Sequence, residues 1–215
     1  MTNYIREPIN GLTHLGGAIL SFIGLLAMVI KVGQKGAGIL EVTAVIVFGI
    51  SMILLYSASA TYHMVKAKDN VIAFFRRLDH SMIFVLIAGT YTPFTLITLN
   101  GVIGWTLFSV VSVIALCGIL FKLIWFKSPR WLSTGLYIGM GWIVIFAINP
   151  LSSALGYWGT LLLTVGGIIY TIGGIIYGLK PNFLKTKHLG FHEIFHIFIL
   201  LGSLAHFFSV YLFVL

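Results

Sequence analysis

Residues 102–121, VIGWTLFSVVSVIALCGILF, are twenty consecutive amino acids without one charged side chain. At a rise of 1.5 Å per residue, an α-helix of this length is about 30 Å long, which equals the thickness of the hydrocarbon core of a bilayer. In lipid, only a helix or a closed barrel satisfies every backbone hydrogen-bonding group. The stretch therefore predicts a membrane-spanning helix.

The rest of the chain has the same character. Of its 215 residues, 59% are hydrophobic and 8% are charged, whereas soluble domains carry about 25% charged residues. Windows of roughly 17–25 apolar residues are long enough to span a bilayer. Seven such windows are found, at residues 10–30, 42–62, 81–99, 102–121, 132–148, 155–179 and 191–215. The first is interpreted as a retained helix and not as a signal peptide. We expect an all-α integral membrane protein, with residues 1–215 forming a single seven-transmembrane bundle.

The positive charges predict how this bundle lies in the membrane. Cytoplasmic connections carry an excess of Lys and Arg. If the N-terminus is cytoplasmic, the outer connections hold only two cations, Lys31 and Lys35. The inner connections then hold Arg6, Lys66, Lys68, Arg76, Arg77, Lys127, Arg130, Lys180, Lys185 and Lys187. This bias predicts a cytoplasmic N-terminus, an outer C-terminus and a multi-pass protein of the plasma membrane. The net charge of +8 is attributed to topology, and no nucleic-acid partner is expected.

Ionisable side chains within the apolar windows are few and are candidates for function, because a charge in a membrane is costly. His63 ends the second window, Asp79 precedes the third, and His192 and His196 open the seventh. The predicted topology brings all four to the cytoplasmic side at one depth. Because His192 and His196 are four residues apart, they share a helical face.

Three neutral imidazoles suit zinc and leave a fourth position for water, whose pKa zinc lowers to about 7. His63, His192 and His196 are therefore the predicted metal ligands. Asp79 is placed to accept a proton from that water, and Ser59 lies one helical turn from His63. These two are the predicted catalytic residues. The alternative is that the His192–His196 pair is simply hydrated at the end of a helix, since H-x-x-x-H alone is a weak motif.

Other polar residues have plainer interpretations. Glu193 lies about 100° around the helix from His192, so we expect it to face a neighbouring helix or loop. His14, His80 and His206 are interpreted as hydrogen-bonded packing residues, with a polar or proton path through the bundle as the alternative. His188, in a loop, is expected to be hydrated.

Four stretches together are similar to a known family: NGLTHLGG (10–17), SASATYH (57–63), RRLDHSMIFVLIAGTYTPF (76–94) and GFHEIFHIFILLGSLAHF (190–207). The chain resembles the bacterial hemolysin III family, within the superfamily of progestin and adiponectin receptors. The resemblance implies seven helices, a cytoplasmic N-terminus and a zinc site near the inner leaflet. The superfamily pattern falls on Ser59 and His63, on Asp79, and on His192 and His196. For relatives, it implies hydrolysis of a lipid amide such as ceramide.

Three functions follow as hypotheses. The first is a zinc-dependent, ceramidase-like hydrolase of a lipid amide or ester, with a membrane lipid as substrate. The second is a pore-forming cytolysin, in which zinc is structural and clamps the helices together. The third is a membrane sensor or a transporter of metal ions or protons.

Overall fold

The computed structural model describes residues 5–181, 184, 186 and 189–215, and this part of the chain contains helices and no strands. The helices are α1 Pro8–Gln34, α2 Ile39–Met64, α3 Asp69–Pro93, α4 Gly101–Ile124, α5 Arg130–Gly141, α6 Ile148–Leu179 and α7 Phe191–Ser209. Three short segments continue these helices with a different pitch: Phe94–Leu99 after α3 and Val210–Val214 after α7 are π-helical, and Trp142–Ala147 between α5 and α6 is a 3₁₀-helix. Among the described residues, six helical runs are long and apolar enough to cross a membrane, which confirms the predicted fold class.

The fifth and sixth predicted windows lie in one helical run, Arg130–Leu179, of 50 residues. A straight helix of that length would measure about 75 Å, yet the Trp142 Nε1 atom donates a hydrogen bond of 2.9 Å to Thr171 Oγ1. The chain must therefore reverse between these residues. It does so at Gly156, where φ is 67° and ψ is −177°, a conformation that is essentially restricted to glycine.

This reversal divides the helical run Arg130–Leu179 into two antiparallel segments. Ile138 packs against Gly174, and Thr134 packs against Gly178, as expected for small residues at a close helix–helix contact in a membrane. The sequence left residues 149–154 between the fifth and sixth windows, whereas helix α6 begins at Ile148 and runs through these residues to the reversal. The reversal supports seven crossings, although the count of seven and the orientation of the termini stay predictions.

One end of the bundle, called the site end below, is defined by where α1, α3, α5 and α7 begin and where α2, α4 and α6 end. Short connections make consecutive helices antiparallel. The contacts agree: the backbone N–H of Glu7, just before α1, donates to the carbonyl of His63 at the end of α2, over 2.9 Å. At the opposite end, the Lys31 ammonium donates to the carbonyl of Tyr211.

Helix α7 is held closely by its neighbours, and this fixes the position of its histidines. Gly17 of α1 lies against Leu200, and Gly202 of α7 lies against the ring of Tyr170 on α6. A Cβ atom added at Gly202 would meet that ring at 2.4 Å, so only glycine allows this approach. The two contacts clamp α7 between α1 and α6.

Candidate metal centre

Three imidazoles meet at the site end of the bundle. His63 lies in the last turn of α2, and His192 and His196 lie in the first two turns of α7. One nitrogen from each ring lies within 4.8 Å of the other two. The Nε2 atoms of His63 and His192 are 3.3 Å apart, and two nitrogens bound at about 2.0–2.1 Å to a tetrahedral zinc ion are separated by roughly 3.3–3.4 Å. The spacing of this pair therefore fits a zinc ion, and the three rings together form a group that could hold a metal ion.

Unsatisfied polar atoms point to the same place. His63 and His196 are 1% and 2% exposed. Within the described part of the chain, His196 Nδ1, Ser59 Oγ and both ring nitrogens of His14 are buried without a hydrogen-bond partner of ordinary geometry. Buried polar atoms are normally paired, so a cluster of unpaired ones is typical of a site that takes an ion or water. This is the second observation in favour of a metal.

The predicted catalytic residues face the same space. A cavity of about 30 Å³ is lined by Ser59, Asp79, His14, His192 and His196, among others. A single water molecule needs about 10–15 Å³, so the cavity has room for one beside the carboxylate. The structure thus brings the five predicted site residues to one location, while their roles stay predictions.

Asp79 is held in place by a chain of side chains from α3 and α6. Its Oδ2 atom lies 3.2 Å from His80 Nδ1, and His80 Nε2 lies 3.0 Å from the hydroxyl of Tyr177. His80 is therefore hydrogen-bonded, as expected, and it also steadies the carboxylate. A fixed carboxylate can accept a proton without first reorganising.

A carboxylate that sequence reasoning missed orients His63. The Oε2 atom of Glu7 lies 2.6 Å from His63 Nδ1, which leaves Nε2 of His63 towards His192. The hydrogen bond with His63 is the main reason that the pKa of Glu7 falls to about 2; partial burial opposes this, and Arg6 adds to it. A carboxylate behind a ligating histidine fixes the tautomer and raises the basicity of the ligand.

Asn10 ties this carboxylate to α7. Its Nδ2 atom donates to Glu193 Oε1 over 2.9 Å and to Glu7 Oε2 over 3.3 Å. Glu193 Oε2 in turn accepts the backbone N–H of Gly190 over 2.8 Å. As expected, Glu193 faces a neighbouring helix and a loop. The network joins the start of α1 to both segments that carry the clustered histidines.

Of the remaining histidines, one matches its expected role and one does not. His206 Nδ1 donates to the carbonyl of Gly202 over 2.8 Å, so it is the hydrogen-bonded packing residue that was expected. His14 differs from expectation, because its ring stacks on that of His196 with centroids 3.6 Å apart. The signal that could have found it is the spacing of Asn10 and His14, which puts both on one face of α1. His188 lies outside the described residues.

A larger cavity adjoins the polar one. It has a volume of about 400 Å³ and is lined mainly by apolar and aromatic residues of α3 to α7, with five threonines and His206 among them. Five residues line both cavities: Ile83, Leu86, Tyr177, Phe195 and Ile199. Small-molecule sites typically measure about 300–1,000 Å³. The polar centre therefore borders a space with the size and the lining for an apolar ligand.

Comparison with known proteins agrees with the resemblance seen in the sequence. The family model described as "Haemolysin-III related" matches residues 2–207. The chain is 43% identical over 217 residues to Hemolysin-3 of Bacillus cereus, with 100% of this chain and 95% of the relative covered. It is 41% identical over 211 residues to the Hemolysin-3 homolog of Bacillus subtilis (strain 168), with 96% and 93% covered. A multi-pass chain with such relatives belongs in the bacterial plasma membrane.

Proposed function

The chain belongs to the haemolysin-III related family, and from that premise we propose that it is a zinc-dependent membrane hydrolase of a lipid amide or ester. One observation carries the proposal: a carboxylate, a hydroxyl and two of the three clustered imidazoles line a small cavity that adjoins a large apolar one, and the third imidazole lies against these two. A lipid is the substrate that needs both environments, because its acyl chain is apolar and its scissile bond is polar.

His63, His192 and His196 would hold the ion. When bound, zinc supplies a Lewis acid that polarises a carbonyl group and makes water more acidic. Asp79 accepts the proton that water loses, since its carboxylate lines the same cavity and is steadied by His80. Ser59 supplies a hydroxyl for hydrogen bonding within that cavity. The apolar walls exclude bulk water and hold the acyl chain.

Purified protein incubated with panels of ceramides and phospholipids tests the proposal. We expect a hydrolysis product that disappears on zinc removal and returns on zinc addition. Because general-base catalysis contributes about 10²–10⁴-fold, Asp79→Asn should lower the rate by at least about 100-fold while zinc content, measured by elemental analysis, is retained. Asp69→Asn is the matched control, an exposed carboxylate at the start of the same helix. If no lipid gives a zinc-dependent product, the proposal is wrong.

The names of the relatives favour a second candidate, a cytolysin in which zinc only clamps α2 to α7. Dye leakage from vesicles distinguishes the two. A cytolysin should keep its leakage activity in Asp79→Ala and lose it when all three ligating histidines are replaced. A hydrolase without lytic activity should release no dye in either form.

A further inference from the structure

Several cations at the site end are packed against aromatic rings. The Cζ atom of Arg130, at the start of α5, lies 5.4 Å from the ring centroid of Tyr177 and 5.9 Å from that of Phe191. The Nζ atom of Lys180, just after α6, lies 5.6 Å from the same Phe191 ring. Two cations from different elements therefore flank one aromatic side chain.

A third cation is connected to Tyr177 through two further aromatic rings. The Cζ atom of Arg76 on α3 is 5.1 Å from the ring centroid of Phe126. That ring contacts His80, with centroids 5.7 Å apart, and His80 in turn contacts Tyr177. Arg76, Arg130 and Lys180 are thus linked through a continuous aromatic cluster that borders the metal centre.

These three cations have no carboxylate within ion-pair distance in the described part of the chain. Three carboxylates of this end are engaged elsewhere, because Glu7 contacts His63, Asp79 contacts His80, and Glu193 accepts from Asn10. One guanidinium nitrogen of Arg130, Nη1, is buried without a hydrogen-bond partner. A buried cationic donor without an acceptor is costly, so an anion from outside the chain would be stabilising here.

A buried lysine adds to the positive potential. Lys122 of α4 is 3% exposed, and its Nζ atom donates to the hydroxyl oxygens of Ser128 and Ser133. Both acceptors are neutral, so they solvate the ammonium group without cancelling its charge. This end of the bundle therefore concentrates positive charge that the nearby side chains leave unneutralised.

Two tryptophans indicate the depth of these cations in the membrane. Trp125 and Trp131, on either side of the loop that leads to Arg130, are 52% and 72% exposed. Exposed tryptophans of membrane proteins gather at the level of the lipid headgroups. Arg130 immediately precedes Trp131, so we expect its guanidinium at the level of the lipid phosphates, where a phospholipid is a more available anion than a free phosphate.

We propose that Arg76, Arg130 and Lys180 bind the phosphate of an anionic phospholipid beside the metal centre. Guanidinium groups recognise phosphate through charge-assisted hydrogen bonds, and the aromatic rings hold them ready for that contact. Tyr177, against which Arg130 packs, lines both cavities. The bound lipid therefore lies at the boundary between the polar centre and the apolar cavity. The site stands whether or not the metal centre is hydrolytic.

Titration of the detergent-solubilised full chain with phosphatidylglycerol tests the proposal, with the melting temperature as the readout, because a ligand that binds the native state raises it. Phosphatidylcholine and inorganic phosphate are the comparison ligands. We expect phosphatidylglycerol to raise the melting temperature more than either. Each of R76Q, R130Q and K180Q should weaken the apparent affinity about fivefold, the effect of one cation near an anionic lipid. K35Q, at the opposite end of the bundle, should leave it unchanged.

Three outcomes would overturn the proposal: an equal rise with phosphatidylcholine, an equal rise with inorganic phosphate, or unchanged affinity for phosphatidylglycerol in all three site variants. Arg130 is partly buried and R130Q could fail to fold. Lys180 is exposed, so K180Q keeps the test decisive.

Discussion

Replacement of Glu7 should weaken zinc binding although Glu7 is not a ligand. Its Oε2 atom lies 2.6 Å from His63 Nδ1, and a hydrogen bond that involves a charged group contributes about 1.5–3 kcal/mol. The side chain of Glu7 is 40% exposed, so water screens the contact and the lower value applies. About 1.5 kcal/mol corresponds to about tenfold in the dissociation constant. Loss of the carboxylate behind a ligating histidine is expected to cost about 10–100-fold in metal affinity, and the two magnitudes agree.

The assay is competition for zinc between the detergent-solubilised protein and a coloured chelator at neutral pH. Glu7→Ala should bind zinc about tenfold more weakly than the parent. Glu7→Gln, which keeps an acceptor oxygen but no charge, should fall between them. Glu41→Gln is the matched control, because Glu41 lies in the first turn of α2 and His63 lies in the last.

A second readout separates positioning from simple destabilisation. If Glu7 orients His63 for the ion, Glu7→Ala should lose more melting temperature with zinc than without it. If the zinc-free variant is destabilised as much as the zinc-loaded one and the affinity is unchanged, Glu7 acts only on folding, and the reasoning above is refuted.

Three further outcomes are expected. Chelation of zinc should lower the melting temperature. A metal at about 1,000 times its dissociation constant contributes about 4 kcal/mol to the free energy of unfolding, which for a chain of this size corresponds to about 10 °C in melting temperature. A thermal scan with and without chelator measures the difference. Acid should have the same effect, because protonated imidazole cannot bind a metal ion. The stabilisation by zinc should be complete above the usual imidazole pKa of about 6.5 and should disappear as the pH falls. A zinc effect on the melting temperature that is equal at pH 7 and pH 4 would contradict the assignment of the ligands. Gly156→Ala should destabilise the bundle by about 1–3 kcal/mol, because φ is 67° at this position. Gly167→Ala is the control, since an added Cβ there meets nothing within 4 Å. Equal melting temperatures of the two variants would argue against the reversal.

The spanning helices and the histidine pair could be predicted because they depend on local properties. Twenty uncharged residues force a helix in lipid wherever they occur, and the spacing of His192 and His196 puts both on one helical face before any packing is known. The meeting of His63 with this pair was reached from the alternation of short connections and the distribution of Lys and Arg. That reasoning places the three histidines at the same end of their helices, and the closeness of their rings in the structure agrees with it.

The side chains that contact and orient the clustered histidines could not be predicted in this way. Glu7 and His63 are 56 residues apart, and Asn10 and Glu193 are 183 residues apart. Which of the few carboxylates meets which histidine depends on how α1 rotates about its axis, and an apolar helix in lipid carries little sequence signal for rotation. Residues 149–154, which separate the fifth and sixth apolar windows, are helical, and the reversal lies just beyond them at Gly156, because polar residues interrupt the hydrophobicity whereas the turn needs a positive φ.

Composition and residue spacing were thus sufficient for the membrane environment, the helical class and the shared face of His192 and His196, because each of these follows from transfer free energy or from the pitch of a single helix. The stacking of His14 on His196, the support of Asp79 by His80 and Tyr177, and the contact of the polar centre with the large apolar cavity arise only when separate helices pack. They depend on distances between side chains that are remote in the chain, and these distances exist only in the folded bundle.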